Sequence, residues 1–536
     1  ALFLVNIALI LYAVYGWVVP GMFYHPGLSW TRLVSATSVE MSTGIFSSLP
    51  QLALTLIGSF ILVLSVLRAF GCIDSILKAA SAIAARSPHA LPQAAVIGSF
   101  GVAAVSGSGA ANAVTTGSAT IPALIGAGMP RENAAAIETA SSLGGQLMPP
   151  IMGISAFLMA EFLGRSYFDV VARGYAPALI YFAGVSLGVY LLAVRYRPRA
   201  GGAIAVEPLR WPDWVNMAAF LGVVGVLVVL MAVVHMPPMF AALYVFMAIG
   251  AALLASFVVQ VAWRARTAPG GGPPGLPRTL AGPPLRFLDT FTSMTADLTL
   301  LLATLSIMVG AFVITGVPTK IGSLLVAATG VNLAAMVLVA FFFGALLGTG
   351  LPPAPTYILT ALVIAPPMIR VGVDPWVVHF FAFFLAVWGE LTPPTSVTAA
   401  VTARIADASF GGTLFRAIRL CVSLFVLMAA VFVRPALVLE PGVAQLGALG
   451  LVLAAVVGIT FSLQGRFSAR REVDLAMRTV LGAFGLLVLF HPSDAVAALG
   501  CIPVALFVAY WVTYCREVGA APAPRAQTAG GLGGPS

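Results

Sequence analysis

The residues best suited to bind an ion or a small solute lie in two long segments that contain no charged side chain. One runs from Gly101 to Pro130 and the other from Ile321 to Ile369, and both are rich in hydroxyls and helix breakers. Unwound helix ends expose backbone N–H groups, which favour anions, whereas freed carbonyls and hydroxyls favour a small cation such as Na⁺. The hydroxyls and helix breakers are Ser106, Gly107, Ser108, Gly109, Asn112, Thr115, Thr116 and Gly117 in the first segment and Gly348, Thr349, Gly350, Pro352, Pro353, Pro355 and Thr356 in the second. All of them except Gly117, Pro353 and Pro355 are candidate ligands.

A pair of prolines follows each segment in a closely similar context, GQLMPP from Gly145 and GELTPP from Gly389. The two proline pairs are 244 positions apart (149 to 393), and so are two upstream glycines (128 to 372). Proline removes a backbone donor and interrupts a helix, so each copy predicts a polar break. The polar or helix-breaking residues are Ser141, Ser142, Gly144, Gly145, Gln146, Pro149 and Pro150 in the first copy and Glu390, Thr392, Pro393, Pro394, Thr395 and Ser396 in the second.

Glu390 occupies the position in the second copy that Gln146 occupies in the first. A carboxylate within apolar sequence is costly to bury, which makes Glu390 a candidate cation ligand or proton carrier. The alternative is a carboxylate in a hydrated cleft or paired with a cation elsewhere. Glu138 and Glu161 are further candidates on the same argument, whereas His379 is interpreted as a packing residue.

The small residues of the two charge-free segments also have a simpler interpretation, since they allow helices to pack closely. Two clusters at matching offsets, each followed by a proline pair, instead favour re-entrant segments. Non-helical backbone at membrane depth is tolerated only where it is buried in protein or lines a cavity.

The composition of the whole chain indicates which kind of secondary structure positions these residues. The chain is 60% hydrophobic and 8% charged, whereas soluble domains carry about 25% charged residues. Apolar runs of about 20 residues recur along it, which predicts an all-α polytopic membrane protein in a lipid bilayer. The net charge of +9 comes from cations clustered between these runs, which indicates cytoplasmic loops and argues against a nucleic-acid partner.

The apolar runs predict fifteen membrane segments, of which three are broken. They are 1–19, 50–69, 93–126 (broken), 133–163, 176–194, 215–234, 239–262, 298–316, 321–347, 351–369 (broken), 376–403 (broken), 417–433, 443–462, 478–490 and 497–515. Counting between the basic loops, 50–69 runs inward and its partner 298–316 outward, so the two repeats are inverted. Arg165 and Arg173 do not fit this count. Inverted repeats with broken helices are typical of secondary transporters.

The domain organisation follows from these segments. The predicted divisions are 1–49 (end of a preceding span and external loop), 50–195 (first repeat), 196–290 (connecting spans and a cytoplasmic Pro/Gly linker), 291–435 (second repeat), 436–515 (additional spans) and 516–536 (disordered cytoplasmic tail). The linker, from Ala268 to Pro284, lacks periodicity and is expected to be flexible. The start at Ala1 inside an apolar run is interpreted as the remainder of a truncated span.

The run from Ser106 to Gly164, together with GTGLPPAPTY from Gly348 and WGELTPPT from Trp388, carries a family resemblance. It resembles the large membrane subunit of tripartite ATP-independent periplasmic (TRAP) transporters. Within them it is most similar to the fused permeases that work with TAXI-type solute-binding proteins. The likeness covers roughly residues 10–435.

The resemblance implies an elevator-type secondary transporter in the cytoplasmic (inner) membrane. It would import a small organic anion from a periplasmic TAXI-type binding protein, driven by Na⁺ or H⁺, with no other cofactor. A small four-span subunit, fused or separate, would accompany it. Motif matching assigns Ser106–Gly109, Asn112, Thr115 and Thr116 to the first hairpin tip, Gly348–Pro352 to the second, and Gly144, Gly145, Gln146, Pro149, Pro150, Glu390, Thr392, Pro393 and Pro394 to the facing breaks.

The chain departs from the family pattern at the second tip, where Pro353 and Ala354 replace two threonines and Thr349 replaces a common methionine. A Na⁺ site therefore stays a hypothesis, with Ser106, Ser108, Gly348, Gly350, Glu390 and Thr392 as its candidate ligands. The coupling ion stays open between Na⁺ and H⁺.

Two other functions compete with this interpretation. One is a channel, symporter or exchanger of similar design that needs no binding protein. The other is an intramembrane hydrolase with Ser106 or Ser108 as nucleophile and His379 as base. Neither serine lies in a G-x-S-x-G motif and no second polar partner accompanies the histidine, so the sequence does not predict an enzyme.

Overall fold

A computed structural model describes residues 2–41, 43–84, 90–106, 108–196, 208–267, 276–330, 332–516 and 518. Gly107 and the tail from residue 519 onwards lie outside the described residues, as does the side chain of Ser106. The described chain is helical throughout and contains no strand. This confirms the prediction of an all-α polytopic membrane protein.

The helices follow one another with short connections. In chain order they are α1 Leu2–Tyr15, α2 Trp30–Ser38, α3 Ser48–Leu54, α4 Leu56–Ala69, α5 Cys72–Ala84, α6 Ala90–Ser106, α7 Gly109–Gly126, α8 Arg131–Leu143, α9 Ile154–Leu163, α10 Tyr167–Tyr196, α11 Trp211–Ala232, α12 Pro238–Thr267, α13 Leu276–Ile314, α14 Val317–Thr329, α15 Leu333–Gly348, α16 Pro353–Arg370, α17 Pro375–Gly389, α18 Val397–Ala406, α19 Phe410–Leu420, α20 Val422–Val433, α21 Ala436–Leu439, α22 Val443–Gln464, α23 Arg471–Phe490 and α24 Asp494–Tyr510.

Eight helical segments of the described chain are long and apolar enough to cross a membrane. A ninth results if α19 and α20, which meet at 44°, form one bent span. The eight are Ser48–Ala69, Tyr167–Tyr196, Trp211–Ala232, Pro238–Trp263, Ala281–Ile314, Val443–Gln464, Arg471–Phe490 and Asp494–Cys515. The segments between them, which hold the predicted breaks, form α-helices of 10–18 residues, apart from the four-residue α21.

The breaks differ in detail from the prediction. Residues 133–163 form two helices, α8 and α9, because residues 144–153 with the first proline pair separate them. Residues 321–347 were expected as one span but divide between α14 and α15, since Gly330 has φ +59° and Asn332 caps the next helix. Residues 351–369 were expected to be broken, yet α16 is continuous and the break precedes it at Thr349–Pro352.

Helix bounds recur at the spacing of the sequence repeat. Both α7 and α16 have 18 residues, and their first residues, 109 and 353, are 244 positions apart. Each is followed by a glycine with positive φ, Gly128 at +94° and Gly372 at +95°. The proline pairs that follow both contain a cis peptide bond. The duplicated sequence is therefore accompanied by duplicated local structure.

The Pro/Gly-rich linker is shorter than predicted, because α13 begins at Leu276 and residues 276–284 are helical. Pro277 lies in the first turn, where the missing N–H removes no helical hydrogen bond. Further along, the Phe287 ring stacks on Phe246 of α12 at 5.7 Å. This packing helps to hold a helix that composition alone did not predict.

The centre of the molecule is formed by the helices that lead into the two proline breaks. Every residue of α8 from Asn133 to Leu143 is buried, and so is every residue of α17 from Val377 to Gly389. Since α22, α23 and α24 bury only a minority of their residues, they lie at the periphery. The functional site must therefore be sought where α8 and α17 end.

Candidate solute-binding chamber

A cavity of about 720 Å³ lies where the predicted breaks meet. The α6–α7 break contributes Ser108, the α15–α16 break contributes Gly348–Pro352, and the two proline-containing breaks contribute Gln146 and Glu390. We call this cavity the chamber. It brings together one part of each predicted segment, although they are far apart in sequence.

Two repeat-equivalent residues contact each other at the chamber. The Gln146 side-chain nitrogen donates to Glu390 Oε2 at 2.9 Å, and the two residues are 244 positions apart. The Thr398 hydroxyl donates to the same oxygen at 3.3 Å. Among the described residues that line the chamber, Glu390 carries the one charge, and it forms no ion pair in the described part of the chain. The described lining is therefore mostly apolar, with a single carboxylate and no cation of its own.

The helix ends at the chamber are not equivalent as anion sites. Helix α7 is capped by the Ser108 side chain, which accepts from Ala111 N at 3.4 Å. Among the described residues, this leaves the N–H groups of Gly109 and Ala110 without a partner. Helix α16 begins with Pro353 and has Pro355 in the same turn, so two of its first three residues have no N–H to offer. An anion would be stabilised at α7 rather than at α16.

Glycines allow the backbones around the chamber to approach closely. A Cβ atom on Gly109 would lie 2.7 Å from Glu390 Oε2, so the carboxylate rests against the start of α7. A Cβ atom on Gly348 would lie 2.4 Å from the Cα of Gly389. The end of α15 therefore packs directly on the end of α17, backbone against backbone.

A comparison with known protein families matches the chain to a transport family. The model of the tripartite ATP-independent periplasmic transporter, DctM component, matches residues 1–437. The chain belongs to this family. No individual curated protein matches the chain. The match covers both repeats and the chamber and ends before α22, and the family is a family of solute permeases rather than of enzymes.

Several site residues predicted for this DctM component lie away from the chamber. Asn112 and Thr116 are fully buried and face α6 and α8, where Asn112 Nδ2 donates to Ser99 O at 3.2 Å. Thr115 and Thr356 donate to carbonyls of their own chain segments. The residues Gly144, Gly145, Pro149, Pro150, Thr392, Pro393 and Pro394 shape the breaks but do not line the chamber.

The structure also places residues at the chamber that sequence reasoning missed. Leu2 of α1, Leu301 of α13 and Ser155 of α9 line it. The two leucines lie in ordinary apolar spans and carry no sequence signal. Ser155 follows the first proline pair closely, and its position in the repeat could have identified it.

Of the further candidates, Glu138 is fully buried and bonded to hydroxyls, whereas Glu161 is exposed. His379 Nδ1 lies 2.7 Å from the Tyr357 hydroxyl and its ring is 95% buried. The geometry of this histidine agrees with its interpretation as a packing residue.

A second cavity, of about 580 Å³, is lined by the two arginines that did not fit the predicted set of basic cytoplasmic loops. Arg165 and Arg173 line it together with Asp374 and Glu440. Arg173 Nε donates to Leu439 O at 2.8 Å, and its guanidinium lies 4.1 Å from the Trp376 ring. Local partners thus hold Arg173 at this cavity.

Tyr167 stabilises the first proline break of the permease. Its hydroxyl donates to Pro150 O at 2.8 Å and accepts from Met152 N at 3.0 Å. We expect Tyr167→Phe to lower the free energy of unfolding by about 2–4 kcal/mol, since two buried backbone groups lose their partner. Thermal unfolding of the purified chain measures this. Tyr244→Phe, at a 54% exposed position, is the control, and equal losses in both variants would contradict the assignment.

Proposed function

We propose that this DctM component imports a small organic anion, a carboxylate-type solute, that a periplasmic TAXI-type binding protein delivers. The observation that carries the proposal is the chamber, in which both hairpin tips and both proline breaks meet around Gln146 and Glu390. The free N–H groups at the start of α7 would receive the carboxylate of the solute. A small four-span subunit, fused or separate, is proposed as a further partner.

The single charge of the chamber supports symport. An anionic solute beside an ionised Glu390 would place two like charges in a low-dielectric site, which is unfavourable. A proton on Glu390, or a Na⁺ ion beside it, removes this repulsion. The solute and the cation would therefore enter together, with Ser108 and the carbonyls of Gly348 and Gly350 as the remaining cation ligands.

The recurring helix bounds support two repeats, and the positions of the basic residues in the sequence support their inversion and, with it, an elevator mechanism. In this mechanism α6–α9 and α15–α18 would move as one unit, because the two groups contact each other where Gln146 donates to Glu390 and where Glu390 lies against Gly109. The clusters of basic residues support the cytoplasmic membrane as the location, with the C-terminus in the cytoplasm.

Uptake into proteoliposomes tests this function. We expect imposed Na⁺ and H⁺ gradients to drive uptake of labelled carboxylates only when the periplasmic binding protein is present. Chain heated before reconstitution is the control. Equal uptake without the binding protein would instead identify a symporter or exchanger that needs no such partner.

A further inference from the structure

Glu138 of α8 lies inside the first repeat and takes no part in the chamber. Its side chain has no exposed surface, and it forms no ion pair in the described part of the chain. Four hydroxyls donate to its carboxylate. They belong to Ser99 at 2.9 Å and Ser142 at 2.8 Å on Oε1, Thr120 at 2.5 Å on Oε2, and Thr116 on Oε1. A buried carboxylate with four hydroxyl partners and no cation requires an explanation beyond packing.

The four hydroxyls can satisfy the carboxyl group in both of its protonation states. The Thr120 hydroxyl also lies 3.0 Å from Thr116 O, and the Thr116 hydroxyl lies 2.9 Å from Asn112 O. When the carboxylate is ionised, both threonines donate to it. When Oε2 carries a proton, it donates to the Thr120 oxygen, and that hydroxyl rotates to donate to Thr116 O. No donor or acceptor at Oε2 loses its partner.

We propose that the Glu138 carboxyl group binds and releases a proton during the transport cycle. The proton binds at Oε2, with no change in any covalent bond of the chain. Its role in coupling rests on the proposed transport function, whereas proton binding itself does not. Thr120 is half-buried while the three partners on Oε1 are buried, so the proton exchanges on the Thr120 side.

The surroundings favour a proton over a metal ion. The hydroxyl oxygens already lie within hydrogen-bond distance of the carboxylate, and Glu138 does not line the chamber, so an ion in the chamber does not contact it. The described chain also contains no cluster of three or more His, Cys, Asp or Glu residues that could hold a metal.

Charged groups on the neighbouring elements do not reach Glu138. The described helices α6 and α7 and the turn Gly144–Gln146 carry none. Arg416 of α19 pairs with Glu132, and Arg131 pairs with Asp407. The remaining titratable groups on packed helices are Arg404 and Arg419 on α18 and α19, and Asp169, Arg173, Arg195, Tyr167, Tyr175, Tyr181, Tyr190 and Tyr196 on α10. None of these groups bonds to Glu138 in the described structure. The polar groups in direct contact with the carboxyl oxygens are therefore the four hydroxyls.

Infrared difference spectra recorded across a pH titration test the proposal on the full chain in lipid nanodiscs. We expect a band of a protonated buried carboxyl that is lost in Glu138→Gln and retained in Glu390→Gln and Glu132→Gln. Spectra that are identical in the wild type and Glu138→Gln would overturn the proposal. This readout needs no solute and no binding protein, so it stays informative if the proposed transport function fails.

A second pair of variants covers the case in which Glu138→Gln does not fold. Thr120→Val should raise the titration midpoint of the band by roughly one pH unit, because the ionised form loses a stronger hydrogen bond than the neutral form does. Thr120→Ser keeps the hydroxyl and should restore the midpoint. Equal midpoints in the valine and serine variants would reject the role of Thr120 at Oε2. The role of Glu138 in coupling is tested by solute uptake, which should lose its pH dependence in Glu138→Gln. An unchanged dependence of uptake on pH in this variant would overturn the coupling role.

Discussion

Gly348→Ala is expected to abolish solute uptake while the chain still inserts into the membrane. The added methyl group would lie 2.4 Å from the Cα of Gly389 and 3.1 Å from its carbonyl carbon and oxygen. These are backbone atoms that no side-chain rotation can move away. Overpacking of this kind costs about 1–3 kcal/mol, and here it separates the second tip from the break that holds Glu390. Uptake into proteoliposomes and thermal unfolding of the same preparation measure both effects.

Gly450→Ala in α22 is the matched control, since its methyl group would meet nothing within 4 Å and alanine is the better helix former. It should leave uptake unchanged. Gly389→Ala, whose methyl group would lie 3.0 Å from the Cα of Gly348, should reproduce the defect from the other side of the contact. Normal uptake by both variants at this contact would show that α15 and α17 are not pressed together in the working permease.

The duplication could be predicted because it involves glycines and prolines, which determine the local backbone conformation. Gly128 and Gly372 both adopt positive φ, a conformation that glycine reaches without steric penalty. The proline pairs, 244 positions apart, interrupt a helix in each repeat because proline has no backbone N–H to donate. The division between α14 and α15 at Gly330 was missed, because one glycine and one asparagine are a weak signal inside a long apolar run.

The orientation of hydroxyls on α7 could not be predicted from the sequence. Thr115 and Thr116 are neighbours, so their side chains point about 100° apart around the helix, and only packing decides which of them is buried. In the structure Thr116 faces Glu138 inside the protein, and Ser108, one position before α7 begins, is the hydroxyl that reaches the chamber. The structure therefore places part of the predicted segment at the chamber and several of its candidate ligands away from it.

The weakness of α16 as an anion site could have been found in the sequence. Pro353 and Pro355 both fall in its first turn, and prolines there remove the donors on which such a site depends. The contact between Gln146 and Glu390, by contrast, could not have been found in the sequence. It depends on how the two repeats face each other, which the residue types do not encode locally.

Glu390→Gln is expected to reduce uptake at least tenfold and to remove its dependence on the coupling ion. Gln146 still has an amide oxygen to donate to at position 390, so the contact between the repeats survives while the charge is lost. A hydrogen bond to a charged group contributes about 1.5–3 kcal/mol, which corresponds to roughly 10- to 100-fold in affinity. Initial uptake rates measured over a series of Na⁺ concentrations and pH values provide the readout.

Exchanging the two side chains separates the charge from its position. The double variant Gln146→Glu with Glu390→Gln keeps one carboxylate and one amide at the same contact, 244 positions apart, but removes the carboxylate from Thr398 and the start of α7. Partial recovery of ion-dependent uptake would show that the chamber needs a carboxylate between its repeats. No recovery would show that the charge must lie beside Thr398 and Gly109. No other charged side chain lines the described chamber, so none could replace Glu390 in the single variant. Wild-type uptake by Glu390→Gln alone would therefore exclude this carboxylate from coupling.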